Sequence, residues 1–502
     1  MSLISNLFPQ WAFKREQARQ ALNHLRLLEH DKTNARHPRR KMGPHSADAV
    51  NQHARYKPRE SARWLEENHP IAVSILDTLT TNIVGEGTTV EPRVMTTGGE
   101  LAKETNIALK KAWRDFMKHP DVTGELCGCE FEELIVRSWA RDGEVFAQHV
   151  RDGALFQWAD PTLRYAVELI EADLVPFDDT RVNREFIHGV RKNAWGRPTA
   201  YAIYKDHPGN TMAGVSFGNI ETKTVPAELI LHFKNAQRIR QTRGRTILAP
   251  IIDLLLDLSH YEDAERVAAR INATQTITIE RSSPDPTVAN ETTGVKEFRI
   301  GPANVWHLNS GESAKMFAPD RPNTNLEAFI HDQIRRAAAA TNVSASTVSR
   351  NYNGTYSSQR QELVESFRFY RTMRKKYYEK VLSALYREVV LAALERRQIP
   401  IAGTDTDSLF DADYRGPSLV WIDPQKEAKA AEILFDNGFE SRQNIIRDKG
   451  GDPITVTREL LDDEFEKQTA NQGLNNDRRN EDRNDDRNDD EESDDEESRN
   501  VA

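Results

Sequence analysis

The 502-residue chain is 38% hydrophobic and 29% charged, and its formal net charge is −10. This composition predicts a polar globular protein of about three domains, elongated or oligomeric. Because Cys127 and Cys129 are its only cysteines, a disulfide framework is excluded and a reducing compartment is expected. The longest apolar run, ILAPIIDLLLDL, carries Asp253 and Asp257 and is shorter than the roughly 20 residues that span a membrane. No signal-peptide pattern opens the chain, so a cytoplasmic origin is expected.

The charge is distributed unevenly. Residues 14–63 contain thirteen basic and five acidic residues, whereas residues 471–502 contain five basic and thirteen acidic residues. Residues 1–60 are therefore predicted to form a basic N-terminal arm, which either attracts polyanions nonspecifically or contacts a dedicated partner. Residues 471–502 are predicted to be an acidic, disordered tail of low complexity.

Residues 61–245 mix helical and strand patterns. Each predicted helix ends at a glycine or proline, which are typical helix-breaking residues. The predicted elements are helices over 62–85, 101–120 and 129–143, strands over 144–150 and 227–235, and a hairpin that turns at 193–196. This region is therefore predicted to be an α+β domain, within a chain that is mainly helical.

A long helix is predicted over residues 246–273, because apolar residues recur there at three- and four-residue steps. The resulting apolar stripe consists of Ile247, Ile251, Leu254, Leu258, Tyr261, Ala264, Ala268 and Ile271. At 1.5 Å per residue, such a helix would span about 40 Å.

A β-rich insert is predicted over residues 274–324, since TQTITIER alternates apolar and polar residues. A second helix is predicted over residues 325–341. Thr324 and Glu327 form a capping-box pattern at its start.

A polar loop, residues 342–357, leads into a longer predicted helix over residues 358–397, which opens with the capping-box pair Ser358 and Gln361. The apolar side of this helix consists of Leu363, Phe367, Tyr370, Tyr377, Val381, Leu385 and Val389. Its bases include Arg371, Arg374, Lys375 and Lys376. A charged face is usually solvated, and contact with nucleic acid is the alternative. Residues 423–470 are predicted to contain short helices separated by glycine turns.

Motifs that would carry enzymatic chemistry are missing from the sequence. The chain has no Gly-Lys dipeptide and hence no phosphate-binding P-loop, and it has no H-E-x-x-H motif. GVSFG, residues 214–218, matches the nucleophile-elbow pattern, but the residues that follow it predict a turn instead of the required helix. Cys127 and Cys129 lack a second Cys/His pair, so a metal site is not favoured. We therefore expect no enzyme, no catalytic residue, no metal and no cofactor.

Several stretches resemble the portal proteins of tailed bacteriophages, lambda family. They are NAWGRPTAYAIY, VPAELILHF, QTRGRTILAPIIDLLLDLSHYEDAERVAA, AAATNVSASTVSRNYNGTYSSQRQELVES and GPSLVWIDPQKEAKAAEILFDNGFESRQNIIRDKGGDP. The resemblance extends from about Ala62 to Glu466, and the ordered set is more specific than any single motif. The acidic tail lies outside it, and the basic arm is poorly covered.

The resemblance implies a portal-type fold in a ring-shaped homo-oligomer of about twelve subunits with a central channel. The implied regions are the wing (61–245), the two stem helices (246–273 and 325–341), the clip (274–324), the tunnel loop (342–357), a long wing/crown helix (358–397) and the crown (398–470).

The implied function is that of the ring at one capsid vertex, through which double-stranded DNA is packaged and ejected. The implied partners are further copies of the chain, double-stranded DNA, the terminase large subunit, the major capsid or scaffolding protein and head–tail connector proteins, with no membrane. The protein would reside in the virion, at the portal vertex, and in the host cytoplasm during assembly. ATP hydrolysis would belong to the terminase, which fits the missing P-loop.

The resemblance also implies candidate site residues in the channel. The tunnel-loop candidates are Arg350, Asn351, Tyr352, Asn353, Thr355 and Tyr356, whose amides and hydroxyls could touch passing DNA without reading its sequence. The alternative is an inter-subunit loop that does not contact DNA. The basic residues Arg371, Arg374, Lys375 and Lys376 would face either DNA or acidic residues of a neighbouring subunit.

Two further candidate groups concern protein contacts. Arg281, Asp285 and Glu291 of the clip would meet partner proteins, or would only add solubilising charge. Ile251, Leu254, Leu258 and Tyr261 would pack the stem helix against a neighbouring subunit.

Two other classes of protein remain as alternatives. A monomeric DNA-binding adaptor would use the basic arm and the long basic helix, with an affinity that falls steeply with salt. A DNA-processing enzyme would need a carboxylate cluster for metal or a nucleotide motif. Oligomeric state separates the portal ring from both.

Overall fold

The computed structural model describes residues 46–54, 57–151, 163–177, 185–209, 221–273, 277–281, 312–316, 326–418, 424–449, 451, 453 and 455–464. The predicted acidic tail, the GVSFG motif and most of the basic arm and of the predicted clip lie outside these residues. The described part is a mixture of helices and strands in which helices predominate, as predicted. Among the described helices, none is long and apolar enough to cross a membrane.

The helices, numbered here in chain order, are α1 (Ala47–Ala54), α2 (Lys57–Asn68), α3 (Pro70–Ile83), α4 (Lys103–Phe116), α5 (Gly128–Asp142), α6 (Ile252–Ala273), α7 (Leu326–Thr341), α8 (Ala345–Ser349), α9 (Tyr356–Tyr377), α10 (Ser383–Glu395), α11 (Pro424–Asp436) and α12 (Arg442–Asp448). A π-helical segment, Tyr378–Leu382, joins α9 to α10. Residues 455–464 are also helical.

The strands are β1 (Thr89–Pro92), β2 (Glu144–Val150), β3 (Ala166–Ile170), β4 (Phe186–Ile187), β5 (Val190–Lys192), β6 (Pro198–Tyr204), β7 (Thr222–Pro226), β8 (Ile230–Lys234), β9 (Ile277–Arg281), β10 (Glu312–Met316) and β11 (Ala412–Arg415). They form a sheet of order β3-β2-β8, a sheet of order β4-β5-β6-β7 and the two-stranded pairs β1-β11 and β9-β10. The pairings within these sheets are antiparallel.

The predicted hairpin is confirmed between β5 and β6. The side-chain oxygen of Asn193 accepts hydrogen bonds from the backbone N–H groups of Trp195 (3.0 Å) and Arg197 (2.9 Å). Gly196 adopts a left-handed conformation with φ 84°, which glycine adopts without steric cost. By contrast, β7 occupies residues where we expected a turn, because its partner β6 supplies a ladder of hydrogen bonds that the local sequence does not reveal.

The single helix predicted over residues 62–85 is in fact two helices. Pro70 is the first residue of α3, and the ring nitrogen Nδ1 of His69 accepts the Ile71 N–H at 3.3 Å, which caps the helix. The apolar period continues across the junction, but proline lacks the N–H that a continuous helix needs. The prediction of one helix was therefore wrong, and Pro70 is the physical reason.

The helical residues from α9 to α10 supply much of the main core. Tyr370, Tyr377, Val381, Leu385 and Val389, all predicted on the apolar side, are buried. They pack in one cluster with side chains of α3, α4 and α5.

The start of α9 differs from the prediction. Thr355 is the N-cap, since its hydroxyl accepts the Ser358 N–H at 3.4 Å. The predicted Ser358–Gln361 capping box was wrong, because the helix already begins at Tyr356. A hydroxyl residue three positions earlier in the chain takes the capping role.

The predicted first stem helix is also shorter at its start, since α6 begins at Ile252. Its buried side includes Leu255 and Leu258, while Leu254 is only half-buried; Ile251, just before the helix, is also buried. Tyr261 packs against Phe329 of α7, with ring centroids 4.9 Å apart. The two predicted stem helices are therefore in contact within one chain.

Glu132 of α5 is a fully buried carboxylate. It accepts hydrogen bonds from the backbone N–H (3.2 Å) and the hydroxyl (2.6 Å) of Thr88. Burial raises its pKa to about 7, although these hydrogen bonds oppose the shift. The folded state therefore holds the Glu132 proton more tightly than the unfolded chain does.

We expect the Glu132→Gln variant to lose less stability than the parent chain as the pH rises. Because the folded pKa of about 7 lies above the ordinary 4.5, the free energy of unfolding falls as pH rises from about 4.5 through 7. A permanently neutral amide avoids this loss, which is up to about 3 kcal/mol. Urea unfolding at a series of pH values measures the effect, with the exposed Glu133→Gln as control. Identical pH dependence in Glu132→Gln and the parent would contradict the expectation.

Candidate nucleic-acid interface

The predicted tunnel loop, residues 342–357, consists of the short helix α8 followed by an exposed turn. The one-and-a-half-turn helix α8 interrupts residues 342–357, and the irregular part runs from Arg350 to Thr355. Asn342 (φ 56°) and Arg350 (φ 55°) adopt left-handed backbone conformations that reverse the chain on either side of α8. Tyr352 is 54% exposed and Tyr356 is 48% exposed.

The base of this loop is fixed to the folded body. The Ser74 hydroxyl of α3 donates to the Val348 carbonyl at 3.2 Å. Glu362 of α9 accepts from the N–H (3.1 Å) and the hydroxyl (2.7 Å) of Ser346. These contacts hold α8 in place while residues 352–358 remain exposed.

The exposed part of the loop has its own hydrogen bonds. The Asn351 side chain accepts the Asn353 N–H at 3.2 Å and lies 3.4 Å from Nε2 of His331. The Gln359 amide donates to the Tyr352 carbonyl. The loop therefore presents phenol rings and one arginine from an ordered backbone, without a dense cluster of cations.

The four predicted basic residues do not form one exposed patch. Arg371, Lys375 and Lys376 are exposed. Arg374 is buried, donates to the carbonyls of Asn82 (2.8 Å) and Pro417 (2.5 Å), and lies over the Phe367 ring. Burial lowers the pKa of Arg374. This corrects the prediction for Arg374, which is a structural residue because it satisfies two backbone carbonyls.

The predicted clip residues are described only in part. Arg281 ends β9 and lies opposite Glu312 of β10 in the antiparallel pair. This pair confirms β structure at both ends of the predicted insert. Asp285 and Glu291 lie outside the described residues.

A buried charge cluster in the predicted wing was missed from the sequence. Arg243 is fully buried, and its Nε donates to Glu144 at 2.6 Å. Its other nitrogens donate to three carbonyls, those of Ala172 (2.8 Å), Val175 (3.0 Å) and His188 (3.1 Å). Arg243 thus ties the segment before α6 to both main sheets.

Glu144 completes this cluster, which we call the Arg243 cluster (Arg243, Glu144, His232 and Arg59). Glu144 Oε2 accepts from Gly244 N–H (2.8 Å) and lies 3.0 Å from Nε2 of His232. Burial opposes ionisation of Glu144, but the charge of Arg243 and the hydrogen bond with His232 outweigh it and lower its pKa to about 2. Burial lowers the pKa of His232 to about 4, so a neutral imidazole can donate to the carboxylate.

One group of side chains in the described part of the chain has the spacing of metal ligands, namely Glu171, Asp173 and His207. Asp173 is already paired with Arg59 (3.0 Å) and with Arg63. Two guanidinium groups repel a cation, so the cluster is better explained as part of an ion-pair network.

Cys127 caps α5, and Cys129 contacts the Gly85 carbonyl at 3.5 Å.

The described surface thus combines an ordered polar loop with exposed bases on a long helix. The family model described as "Phage portal protein, lambda family" matches residues 33–374. The chain therefore belongs to the lambda family of phage portal proteins.

Individual relatives agree with this family. The chain is 24% identical to the probable portal protein of Halomonas phage phiHAP-1, over 81% of this chain and 79% of that protein. It is 21% identical to portal protein B of Escherichia phage lambda, over 75% of this chain and 77% of that protein. Among solved structures, a chain of the virion of a native gene transfer agent particle aligns with a TM-score of 0.44 and 13% identity, covering 79% of this chain and 95% of that chain.

Proposed function

We propose that copies of this chain form the portal ring at one capsid vertex, through which double-stranded DNA is packaged and ejected. The observation that carries this proposal is the family match over residues 33–374. The ring is a structural conduit, and it serves as the docking platform for the terminase and later for head–tail connector proteins. In this function the energy for DNA movement comes from the terminase.

Native mass spectrometry of the purified chain, together with negative-stain images, tests the proposal. Rings of about a dozen subunits with a central hole are the expected result. A stable monomer across salt and protein concentration would favour the DNA-binding adaptor. Metal-dependent nuclease activity would favour a DNA-processing enzyme.

In this proposal the wing is formed by residues 61–245 and the stem by residues 246–273 and 325–341. The clip is formed by residues 274–324 and the crown by residues 398–470. Exposure along α6 supports the stem assignment. Its first half is buried against the body through Leu255 and Leu258, whereas Ala264 is exposed and Val267 is 52% exposed. In a ring, a neighbouring subunit covers the exposed residues of this second half, and association then stabilises the part of the helix that is least buried within its own chain.

The loop from Arg350 to Tyr356 is the proposed contact with DNA in the channel. Support comes from its exposed phenol rings, which stand on a fixed base. Phosphate contacts by neutral donors position DNA without specifying sequence, and weak contacts allow the duplex to slide. A ring of such loops narrows the channel and helps to retain packaged DNA.

We expect replacement of residues 351–356 by glycine and serine to reduce the length of DNA retained in filled capsids. The replaced loop loses both bulk and hydrogen-bonding groups, so less friction opposes loss of DNA. Pulsed-field gel electrophoresis of DNA from purified particles measures the retained length.

Tyr352→Phe combined with Tyr356→Phe is the matched control, because it keeps the rings and removes only the hydroxyls. If this control retains DNA of normal length, the effect of the replaced loop is due to the bulk of its side chains. If the control also loses DNA, the effect is due to the hydrogen bonds of the hydroxyls. Normal DNA length in the replaced loop, with rings still assembled, would overturn the DNA-contact proposal and leave an inter-subunit loop.

A further inference from the structure

Three bases form an exposed stripe on α9. Arg368, Arg371 and Lys375 follow one another at three- and four-residue steps, which places them on one helix face. All three are exposed, and the Lys375 side chain is 77% exposed. We call them the basic stripe. Its nearest ion pair is Lys375 with Glu379 at 3.8 Å, an exposed contact that contributes little energy.

Gly416 and Pro417 lie against the helical segment that carries this stripe. Arg374, within one helical turn of Arg371 and Lys375, donates to the Pro417 carbonyl at 2.5 Å. A Cβ added to Gly416 would meet the Tyr378 hydroxyl. The contact between Arg374 and Pro417 anchors the start of the C-terminal region to the helix that carries the basic stripe.

The far end of the chain carries the complementary charge. Residues 471–502 contain thirteen acidic and five basic residues, and eight of the nine residues from Asp489 to Glu497 are acidic. An extended chain advances about 3.3 Å per residue. Such a stretch therefore carries nearly one negative charge per 3.3 Å, close to the roughly 3.4 Å spacing of phosphates along one DNA strand.

The length of chain between the two charged segments permits contact. Twenty-four residues lie between the last described residue, Glu464, and Asp489. A random-coil chain of this length has an end-to-end distance of about 25–30 Å. Where a linker of this length spans the distance between two sites, the effective concentration is in the millimolar range, which is enough to populate a weak electrostatic contact.

We propose that the acidic tail, residues 471–502, occupies the basic stripe of α9 and competes there with DNA. The tail imitates the charge spacing of a DNA strand and masks the stripe until a duplex displaces it. This proposal does not depend on the ring, since the tail and the stripe belong to the same chain. Its failure would leave the proposed portal function intact.

The test measures duplex binding by the full chain and by a variant that lacks residues 471–502. Fluorescence anisotropy with a labelled 30-base-pair duplex at low salt should show at least about tenfold tighter binding after deletion, and the difference should shrink as salt is raised. A synthetic peptide of residues 471–502 should restore the weaker binding, whereas a peptide with amides in place of the acids of residues 489–497 should not. Unchanged DNA affinity after deletion would overturn the proposal.

A second measurement locates the contact. Carbodiimide joins a carboxylate to a neighbouring lysine, so mass spectrometry should find Lys375 linked to an acid of residues 481–497. Lys375→Arg should remove this link while keeping the charge. Arg368→Gln with Arg371→Gln and Lys375→Gln should abolish the gain in DNA affinity on tail deletion, with an unchanged melting temperature because these residues are exposed. Links only to lysines of the N-terminal arm would overturn the assignment to α9.

Discussion

Replacing Arg243 with methionine is expected to destabilise the folded chain by about 3–5 kcal/mol. The change leaves the Glu144 carboxylate buried beside His232 without its principal cation. It also leaves the carbonyls of Ala172, Val175 and His188 without the donor that satisfies them. Unpaired buried charges and carbonyls each cost free energy.

The guanidinium shape is as important here as its charge. Arg243 uses three nitrogens in four hydrogen bonds and lies over the rings of Phe146 (5.3 Å) and Phe177 (5.4 Å). Lysine carries the same charge on a single nitrogen, which cannot reach all four acceptors. Arg243→Lys should therefore recover only part of the lost stability.

Urea unfolding at one fixed protomer concentration measures the change, because subunit association also stabilises the folded state. Arg114→Met, at an exposed position of α4, is the matched control and should stay within about 0.5 kcal/mol of the parent. A loss below about 1 kcal/mol in Arg243→Met would show that the cluster relaxes around the missing group.

The sequence predicted those elements whose signals are local. The hairpin at Asn193–Gly196 depends on a side chain that bonds to its own turn, and the long helix carries a regular apolar side. The α+β character follows from such patterns. The residues that form such a pattern lie within a few positions of each other, so the pattern can be recognised without knowledge of the tertiary fold.

Long-range contacts could not be predicted in this way. Strand β1 pairs with β11, which joins Thr89 to Arg415 across more than 300 residues, and neither strand is distinctive in sequence. Arg243 and Arg374 each stand next to polar residues in the sequence, but both are buried in the structure. Burial of a guanidinium becomes favourable only when distant carbonyls and carboxylates converge on it. The portal assignment came from ordered similarity over most of the chain, because no catalytic or metal motif carries it.

Gly244→Ala is expected to destabilise the same region by about 3 kcal/mol, near the upper end of what overpacking costs. A Cβ at residue 244 would lie 2.7 Å from the Gly143 carbonyl carbon and 2.9 Å from the Cβ of Glu144. These are backbone and near-backbone atoms, which cannot rotate away as the end of a flexible side chain would. The chain segments at Gly143 and Gly244 therefore cross at a distance that only glycine permits.

The effect should couple to that of Arg243. Moving Gly244 displaces its N–H from Glu144, where it donates at 2.8 Å, and so loosens the cluster that Arg243→Met also disrupts. Since both substitutions damage one network, the double variant should lose less stability than the sum of the two single losses. Gly98→Ala, where the nearest atom is the Thr96 hydroxyl at 3.7 Å, is the control. Full additivity would mean that the crossing of the two segments and the buried charges stabilise the wing independently.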